Sequence, residues 1–389
     1  MTFAEIVYLG FAALGIIGLF LIYVGYPVLV LAFSRSQPQL PQSDRSPKHA
    51  TLIIPAWQEG EGLIQKIANT ASLDLSNITL EVIVISDQER PESLDTTSLP
   101  FALTWIREHQ RVGKSASINR AMQAVNTPYV VLSDANTRLN TGAMQHLLLP
   151  FQDARVGGVA GEKRVRPDHT PAADAESFYW SYESALKRSD SRLYSVIGGA
   201  GELLALRREL VVTLVADTIL DDLVLSWEVI RQGCRIAYAP DALATELPSL
   251  NLKEEAKRKI RIAAGAYQFL DRHPLRSIFT VSRPYGLQFL FRKWARWMVA
   301  PACLLMAFLG NLGLLVVAPA EALTLALTGA QAVFYGLALI GWILLPFRVR
   351  LGWLAAPFYF LFMHVCQLRG WVRYRFGHQS GIWERAARS

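Results

Sequence analysis

The chain has 389 residues, enough for two or three domains, and 52% of them are hydrophobic, which excludes an ordinary cytosolic enzyme. Its formal net charge is +7, but many basic residues flank apolar segments, where anionic lipid headgroups are nearer partners than nucleic acid. The three cysteines have no paired spacing, which argues against a disulfide framework and a zinc site.

The first predicted element is a transmembrane helix within residues 1–33. No charged residue occurs from Ile6 to Phe33, a stretch longer than the roughly 20 residues that cross a bilayer. Its only preceding charge is Glu5, whereas a signal peptide has a basic start and a small-residue cleavage site. The alternative is a buried core helix. Residues 34–48, rich in Ser, Pro and Gln, are predicted to form a linker.

Residues 49–250 alternate short β-branched runs with helical patterns, which predicts an α/β domain with a mostly parallel sheet. Asp87 and Asp134 each follow a predicted strand, at the edge where such sheets bind ligands. A third acidic position, Asp221 with Asp222, precedes a helix predicted over residues 223–231. The strands are predicted over residues 51–56, 80–86, 101–106 and 129–133, and further helices over 60–71 and 115–125.

Gly113-Lys114-Ser115 is similar to the end of a phosphate-binding P-loop. That motif requires a glycine five positions before Gly113, where this chain has Glu108, so ATP hydrolysis is not expected. A basic residue at a helix N-terminus remains a favourable place for a diphosphate. The alternative is that Ser115 simply caps the helix.

Residues 251–296 are basic and amphipathic. Arg258 and Arg261 are three positions apart, so a helix places them on one face, available to a diphosphate or to the bilayer surface. Residues 284–296 mix aromatic and basic side chains, which predicts an interfacial helix that holds the ligand-binding edge of the α/β domain against the membrane.

Residues 297–368 are predicted to hold two or three further transmembrane segments, at 297–320, 322–347 and 351–368. Basic residues after the first span and before the second place the central domain in the cytoplasm. If the spans alternate, the tail at residues 369–389 lies outside the cytoplasm. That tail is also basic, which conflicts with this location. Either the last segment does not cross fully, or one of the three is re-entrant.

Several short motifs follow one another along the chain. They are Pro55-Ala56-Trp57-Gln58-Glu59, Ile85-Ser86-Asp87, Gly113-Lys114-Ser115, Ser133-Asp134-Ala135-Asn136, Gly198-Gly199-Ala200-Gly201, Asp221-Asp222-Leu223 and Arg258-Lys259-Ile260-Arg261. In order and spacing the chain resembles membrane-anchored family 2 glycosyltransferases, the inverting bacterial group related to cellulose, chitin and hyaluronan synthases. The resemblance implies a cytoplasmic α/β GT-A domain of the nucleotide-diphospho-sugar transferase type, attached to α-helical transmembrane segments.

The resemblance also implies roles at the donor site. Asp134 and Asn136 match the metal motif, which implies Mg²⁺ or Mn²⁺ bridging the donor diphosphate. Asn136 offers only a neutral oxygen, so a weaker or partly water-mediated metal site is expected. The alternative is an Asx turn that closes the strand. The implied donor-binding residues are Pro55, Ala56, Glu59, Asp87, Lys114 and Asp134.

On the acceptor side, Asp222 matches the catalytic base, and Asp221 beside it is expected to raise its proton affinity. Alternatively, Asp221 caps the following helix. Gly199 and Gly201 match the acceptor-side turn, and Arg258 with Arg261 matches the segment that meets the diphosphate. Ile262 stands where processive synthases have a tryptophan, which weakens the case for a long-chain polymerase. Trp180, Tyr179 and Tyr182 are candidates for stacking on a sugar instead; the alternative is a role in the core.

The predicted function is an inverting, metal-dependent transfer from a nucleotide-sugar, expected to be UDP-linked, to a lipid-linked or glycan acceptor. The expected place is the cytoplasmic face of the inner (plasma) membrane, in cell-envelope or exopolysaccharide synthesis. Two alternatives remain: a processive polysaccharide synthase, and a non-catalytic nucleotide-sugar-binding subunit of an envelope assembly complex. The expected partners are donor, acceptor, lipid bilayer and envelope assembly proteins.

Overall fold

The computed structural model describes residues 1–34, 48–92, 94–166, 171–344 and 355–377, without the side chains of residues 171–179. The predicted linker at 34–48 therefore lies almost wholly outside the described residues. So do the tail beyond residue 377 and the beginning of the segment predicted at 351–368.

A mixed sheet forms the centre of the catalytic domain. Among the described residues its eight strands lie in the order β3-β2-β1-β4-β7-β6-β8-β5. The strands are β1 (Lys48–Ala56), β2 (Ile78–Ser86), β3 (Ala102–Arg107), β4 (Tyr129–Leu132), β5 (Arg138–Leu139), β6 (Val156–Val165), β7 (Leu204–Arg207) and β8 (Arg235–Glu246). The first four run parallel to one another, and β7 pairs antiparallel with both β4 and β6.

Helices cover the sheet and continue into the apolar segments at both ends of the described chain. They are α1 (Phe3–Phe20), α2 (Tyr26–Ser34), α3 (Glu61–Ala71), α4 (Lys114–Met122), α5 (Ala143–Leu148), α6 (Pro171–Leu193), α7 (Asp221–Arg231), α8 (Leu252–Arg272), α9 (Leu275–Val281), α10 (Arg283–Phe289), α11 (Ala300–Val317), α12 (Ala322–Leu344) and α13 (Ala356–Phe376). π-Helical turns at Leu21–Gly25 and Leu290–Val299 join α1 to α2 and α10 to α11.

The inner parallel strands β1, β2 and β4 are largely apolar without alternation because both of their faces are covered. In β1, for example, Leu52 and Ile54 belong to one core, whereas Ile53 belongs to the core on the opposite face. The α/β fold class is confirmed, and the six strands and helices predicted between residues 51 and 133 differ from the observed ones by no more than three residues at either end. Parallel pairing brings the carboxyl ends of β1, β2 and β4 to one edge of the sheet.

Three helices within the described ranges are long and apolar enough to cross a membrane: Phe3–Ser34, Arg283–Val317 and Ala322–Leu344. Helix α13, which overlaps the third segment predicted near the C-terminus and continues to Phe376, is not among them. It packs along α8 instead, where a Cβ atom on Gly370 would lie 2.3 Å from Ala263 Cβ. Burial of Cys366 and Gly370 indicates that α13 belongs to the wall of the catalytic domain.

Helix α10 and the turn after it differ from the predicted separate interfacial helix. They continue without a break into the second candidate span, which begins at Arg283 rather than at residue 297. Tyr285 and Phe289 are buried against α7 and α8, in a cluster that includes Trp227 and Phe269. The apolar face of this helix is therefore covered by the catalytic domain.

Candidate active site

A cavity of about 400 Å³ opens at the carboxyl ends of β1 and β4. Its walls come from these strand ends, the N-termini of α4 and α7, and the helices α6, α8 and α13. Of the site residues predicted from sequence, those lining it are Pro55, Ala56, Glu59, Lys114, Asp134, Asn136, Gly199, Gly201, Asp221, Asp222, Arg258 and Arg261.

Asp87 does not line this cavity. It follows β2, as predicted, and its carboxylate accepts a hydrogen bond from the backbone N–H of Gln58 at 3.0 Å. Gln58 has a φ of 54°, a left-handed conformation that a non-glycine residue adopts only when it is held there. Asp87 thus fixes the turn after β1, and with it the position of the cavity residues Trp57 and Glu59.

Lys114 joins two of the acidic positions. Its ammonium donates to Asp134 Oδ1 at 2.7 Å and lies 3.3 Å from Asp221 Oδ2. Burial disfavours the charged ammonium, but Asp134 and Asp221 outweigh burial and raise the pKa of Lys114 above its usual value. Lys114 is thus a permanent cation between β4 and α7.

Helix α4 begins at Lys114 itself, and Ser115 donates to Thr218 O at 3.0 Å. The alternative prediction that Ser115 caps this helix is therefore wrong.

Asp222 lies in the first turn of α7, where Leu223 N–H donates to its Oδ1 at 2.8 Å. Burial and the adjacent Asp221 carboxylate raise the pKa of Asp222 to about 6, while Lys114 opposes the shift. The effect of Asp221 on the pKa of its neighbour is in the predicted direction. Helix α7 begins at Asp221, two residues earlier than expected, so Asp221 is not its N-cap; it pairs with Lys114 instead.

The glycine turn at residues 198–201 sits against the start of α7. Gly199 N–H donates to Ser226 Oγ at 2.8 Å, and Ser226 donates to the backbone oxygen of Asp222 at 2.6 Å. Gly198 has a φ of 79°, which favours glycine. A Cβ atom on Gly201 would lie 3.5 Å from Asp222 Oδ2, so glycine keeps the space beside that carboxylate open.

Lys66 donates hydrogen bonds to the turn that contains the predicted metal motif. Its role was not predicted from the sequence. This lysine of α3 is 2% exposed, and its ammonium donates to Ser133 Oγ at 2.8 Å and to Thr137 O at 2.9 Å. Burial lowers the pKa of Lys66 to about 7. The two acceptors flank Asp134 and Asn136 in sequence, so Lys66 holds the turn that presents them.

The side chains at the metal motif fit a divalent cation held together with a substrate. Within the described ranges, no three Asp, Glu, His or Cys side chains form a protein-only metal cluster. Mg²⁺ and similar hard cations are commonly held by one or two carboxylates plus substrate phosphates, so this is no obstacle. Asp134 and Asn136 both face the cavity and supply one carboxylate and one amide oxygen.

The two predicted arginines of α8 have different surroundings. Arg258 pairs with Glu255 at 3.0 Å and lies 3.6 Å from Glu246. Burial lowers the pKa of Arg261, whereas Asp221, Asp134 and Asp222 favour its charged form. Arg261 therefore faces the acidic cluster more directly than Arg258 does, although both line the cavity.

Several cavity residues are not among the site residues that the sequence predicted. They are Lys163, Glu183, Lys187, Glu202, Arg292, Lys293 and Trp297. Lys163 is buried between Glu202 and Glu246, both close enough for ion pairs. Trp180, one of the three aromatic candidates for sugar stacking, does line the cavity, with the Lys163 ammonium 4.9 Å from its ring centre. These residues lie far apart in the chain, so their proximity could be found only from the folded structure.

A cationic and acidic cavity at the carboxyl ends of parallel strands defines a class of α/β protein that binds phosphorylated ligands. The model of the family described as glycosyltransferase like family 2 matches residues 47–265, and the chain belongs to that family. The matched region contains the whole sheet and all of the predicted site residues.

Curated relatives match over part of their length. The poly-beta-1,6-N-acetyl-D-glucosamine synthase of Staphylococcus aureus strain COL is 24% identical over 232 residues, which cover 57% of this chain and 55% of that protein. A type 2 glycosyltransferase of Gibberella zeae is 22% identical over 42% of this chain and 32% of its own length. The chain thus spans about half the length of the synthase.

One solved structure is similar over almost the whole chain. It is the mannosyltransferase PcManGT from Pyrobaculum calidifontis in complex with GDP-Man and Mn²⁺, with a TM-score of 0.70 and 19% identity. The similarity covers 94% of this chain and 99% of that one. At 19% identity, this similarity shows that the two chains share a fold.

Proposed function

We propose that the chain is a metal-dependent, inverting glycosyltransferase that acts at a membrane surface. The observation that carries the proposal is the position of Asp222 in the same cavity as the Asp134–Lys114 pair. Asp222 could thus act on the acceptor while Lys114 binds the diphosphate of the same bound donor sugar. Trp297 of the second candidate span lines the same cavity, which brings the reaction to the bilayer.

At the donor end, Asp134 and Asn136 are proposed to hold Mg²⁺ or Mn²⁺, which would neutralise the diphosphate and make it a better leaving group. Lys114 and Arg261 supply further positive charge beside these residues. Pro55, Ala56 and Glu59 border the nucleotide end, where Asp87 fixes their turn. We propose a UDP-sugar as the donor.

At the acceptor end, Asp222 is proposed to act as the general base. As the acceptor oxygen bonds to the anomeric carbon, its proton passes to Asp222. The bond from that carbon to the diphosphate oxygen breaks, and its electron pair leaves with the nucleoside diphosphate. Attack from the face opposite the leaving group inverts the anomeric carbon, so an α-linked donor gives a β-linked product. The turn at Gly199 and Gly201 leaves room for this acceptor.

The names of the similar proteins support this proposal. One is a synthase of a β-1,6-linked polysaccharide, and another was solved with GDP-Man and Mn²⁺. We therefore propose a role in cell-envelope or exopolysaccharide synthesis, with the catalytic domain in the cytoplasm and envelope assembly proteins as partners. The similarity to the synthase also favours a second candidate, processive polymerisation, although Ile262 lines the cavity where a stacking tryptophan was expected.

The test is nucleotide release by the purified, lipid-reconstituted chain from a panel of UDP- and GDP-sugars, with Mg²⁺ or Mn²⁺ and membrane lipid extracts. Metal-dependent release from one donor identifies the sugar, and the length of the radiolabelled product separates single transfer from polymerisation. Asp222→Asn is expected to bind the same donor with unchanged affinity and to lose at least about a hundredfold in transfer rate.

The control is Glu209→Gln, which lies outside the cavity and is expected to retain full activity. Donor binding without release from any sugar would favour the non-catalytic subunit. Full activity of Asp222→Asn would place the base elsewhere.

A further inference from the structure

The cavity continues past Asp222 towards the helices that leave the catalytic domain. This part, which we call the membrane-side chamber, is lined by Lys187, Lys293, Trp297, Met363 and Cys366. Trp297 belongs to the second candidate span, and Met363 and Cys366 belong to α13, so an apolar wall lies beside two ammonium groups. This combination suits an amphiphile with an anionic head.

Lys187 is the first of these ammonium groups. The residue is only 9% exposed, yet it makes no hydrogen bond or ion pair with any part of the chain that the structure describes. Its described contact is with the ring of Trp180, 5.6 Å from the ammonium. Burial lowers the pKa of Lys187, as expected for an ammonium without a bound anion.

The carboxylates around Lys187 are already engaged. Glu183 pairs with Arg292 at 3.1 Å and with Arg296 at 2.5 Å. Glu202 pairs with Lys163, and Glu162 accepts from Ser184 Oγ at 2.6 Å. Lys187 therefore adds a positive charge that the described side chains nearby do not balance with an ion pair.

Lys293 is the second ammonium group. Like Lys187, it forms no ion pair or hydrogen bond within the described ranges, and it lies 5.6 Å from the ring centre of Trp297. Glu183 and Asp222 attract its ammonium, whereas Arg292 and Lys187 repel it. The two lysines therefore act on the same part of the cavity, close to the proposed base.

We propose that Lys187 and Lys293 bind the phosphate of a membrane lipid that serves as the sugar acceptor. Two ammonium groups in one cavity, neither of which forms an ion pair with the described residues, are unfavourable, and a phosphate satisfies both with charge-assisted hydrogen bonds. The proposed donor diphosphate has its own cations, Lys114 and Arg261, near Asp134. Trp297 and α13 provide the apolar wall along which the lipid chain leaves the cavity.

This inference rests on the proposed function and specifies its acceptor as a lipid with a hydroxyl close to a phosphate. The phosphate, held by the two lysines, leaves the hydroxyl beside Asp222. Transfer then joins that hydroxyl oxygen to the anomeric carbon, and its proton passes to Asp222. The lipid phosphate itself keeps its bonds.

A binding measurement tests the subsite without requiring catalysis. The detergent-purified full chain is titrated with phosphatidylglycerol and, separately, with diacylglycerol, and bound lipid is counted by native mass spectrometry. Phosphatidylglycerol is expected to bind, and Lys187→Gln with Lys293→Gln is expected to weaken its binding by at least about tenfold. Replacement of both lysines by arginine should restore binding, and Lys253→Gln, an exposed change outside the cavity, should not affect it.

Three results would overturn the proposal: equal binding of diacylglycerol, unchanged binding by the double Gln variant, or full displacement of the lipid by glycerol phosphate, which would indicate a soluble phosphate ligand. Nucleotide affinity, measured on the same variants, is expected to stay unchanged and shows that they are folded.

A second experiment measures sugar transfer to phosphatidylglycerol in nanodiscs. Its outcome distinguishes a failure of the lipid subsite from a failure of the proposed function. The double Gln variant should raise KM for the lipid more than it lowers kcat. If the lipid binds through the two lysines but no donor releases its nucleotide, the proposed function fails and the lipid subsite stands. If a donor is used but the lysines do not affect lipid binding, the function stands and the subsite fails.

Discussion

Asp221 and Asp222 are adjacent in sequence, but the folded chain gives them different surroundings. Asp221 pairs with Lys114, whereas Asp222 faces the cavity with its pKa raised to about 6. A base must be deprotonated to accept a proton, so kcat/KM should fall as pH drops below about 6, by about tenfold per pH unit. Above that pH the profile should be flat until another group titrates.

The variant Asp221→Asn provides the control for this pH dependence. Removing that carboxylate removes one cause of the raised pKa, so the acidic limb should move to lower pH. A pH titration of kcat/KM for both proteins measures the shift. The assignment of Asp222 would be contradicted if the midpoint were the same in the two proteins.

Lys66 offers a second prediction at the residue scale. Lys66→Met removes the donor of the hydrogen bonds to Ser133 and Thr137, so the turn that presents Asp134 should loosen. Unsatisfied buried partners cost about 1–3 kcal/mol, and we expect donor affinity to fall about tenfold. Isothermal titration with the identified donor measures this change.

The control for Lys66 is its neighbour on the same helix, Asn69, which holds β5 through both the N–H and the carbonyl of Leu139. Asn69→Leu should lower thermal stability without changing donor affinity. Equal loss of affinity in both variants would mean that Lys66 acts on the whole domain and not on the metal turn.

Single residues also show what the sequence could predict. Asp134 and Asp222 can be recognised from local patterns in the sequence. Asp134 follows a short apolar strand, and Asp222 precedes a predicted helix. Lys66 gave no such signal, because a lysine on a helix is usually exposed and only the tertiary fold buries it. Lys187 and Lys293 gave no such signal either, because a lysine on a helix is usually a solvated cation and only the fold places both in one cavity.

At the scale of elements, one buried ion-pair network joins three helices. Arg292 is 3% exposed and pairs with Asp190 of α6 at 2.6 Å and with Glu183 at 3.1 Å. Tyr26 of α2 donates to the same Asp190 at 2.6 Å. Sequence reasoning assigned this arginine to the basic flank of a membrane span, because its partners lie about a hundred residues away in the chain.

Arg292→Gln should be strongly destabilising. It leaves the buried carboxylate of Asp190 without its cation and Glu183 with Arg296 as its remaining cation, and breaking such a buried pair costs about 3–5 kcal/mol. Thermal unfolding in detergent, followed by intrinsic fluorescence, measures the effect. Arg283→Gln, at an exposed position of the same helix, should change stability by less than about 0.5 kcal/mol. Similar unfolding temperatures for the two variants would contradict a structural role for the network.

For the whole molecule, α1 and α11 are packed at backbone distance. A Cβ atom on Gly310 would lie 2.4 Å from Ala12 N, and one on Gly15 would lie 2.5 Å from Ala307 N. Small residues allow such an approach between membrane helices. The apolar composition predicted the helices themselves, but not which of them would pair, since most of their length is uniformly apolar.

Gly310→Val should separate this helix pair. The added side chain overlaps the backbone of α1, and overpacking typically costs about 1–3 kcal/mol. Gly329→Val in α12 is the matched control, because nothing lies within 4 Å of its Cβ position. Size-exclusion chromatography and thermal unfolding in detergent compare the two. If both variants behave alike, the α1–α11 contact does not contribute to stability.

The pairing of α1 with α11 has a consequence for biosynthesis. Almost the whole catalytic domain lies between them in the chain, so α1 leaves the ribosome long before its partner exists. At about 5–20 residues per second the interval is roughly a quarter of a minute to a minute. During that time the sheet can fold while α1 alone attaches it to the bilayer. The exposed glycine face of α1 is then available to other membrane helices, and slow synthesis of the C-terminal part should favour such mispairing.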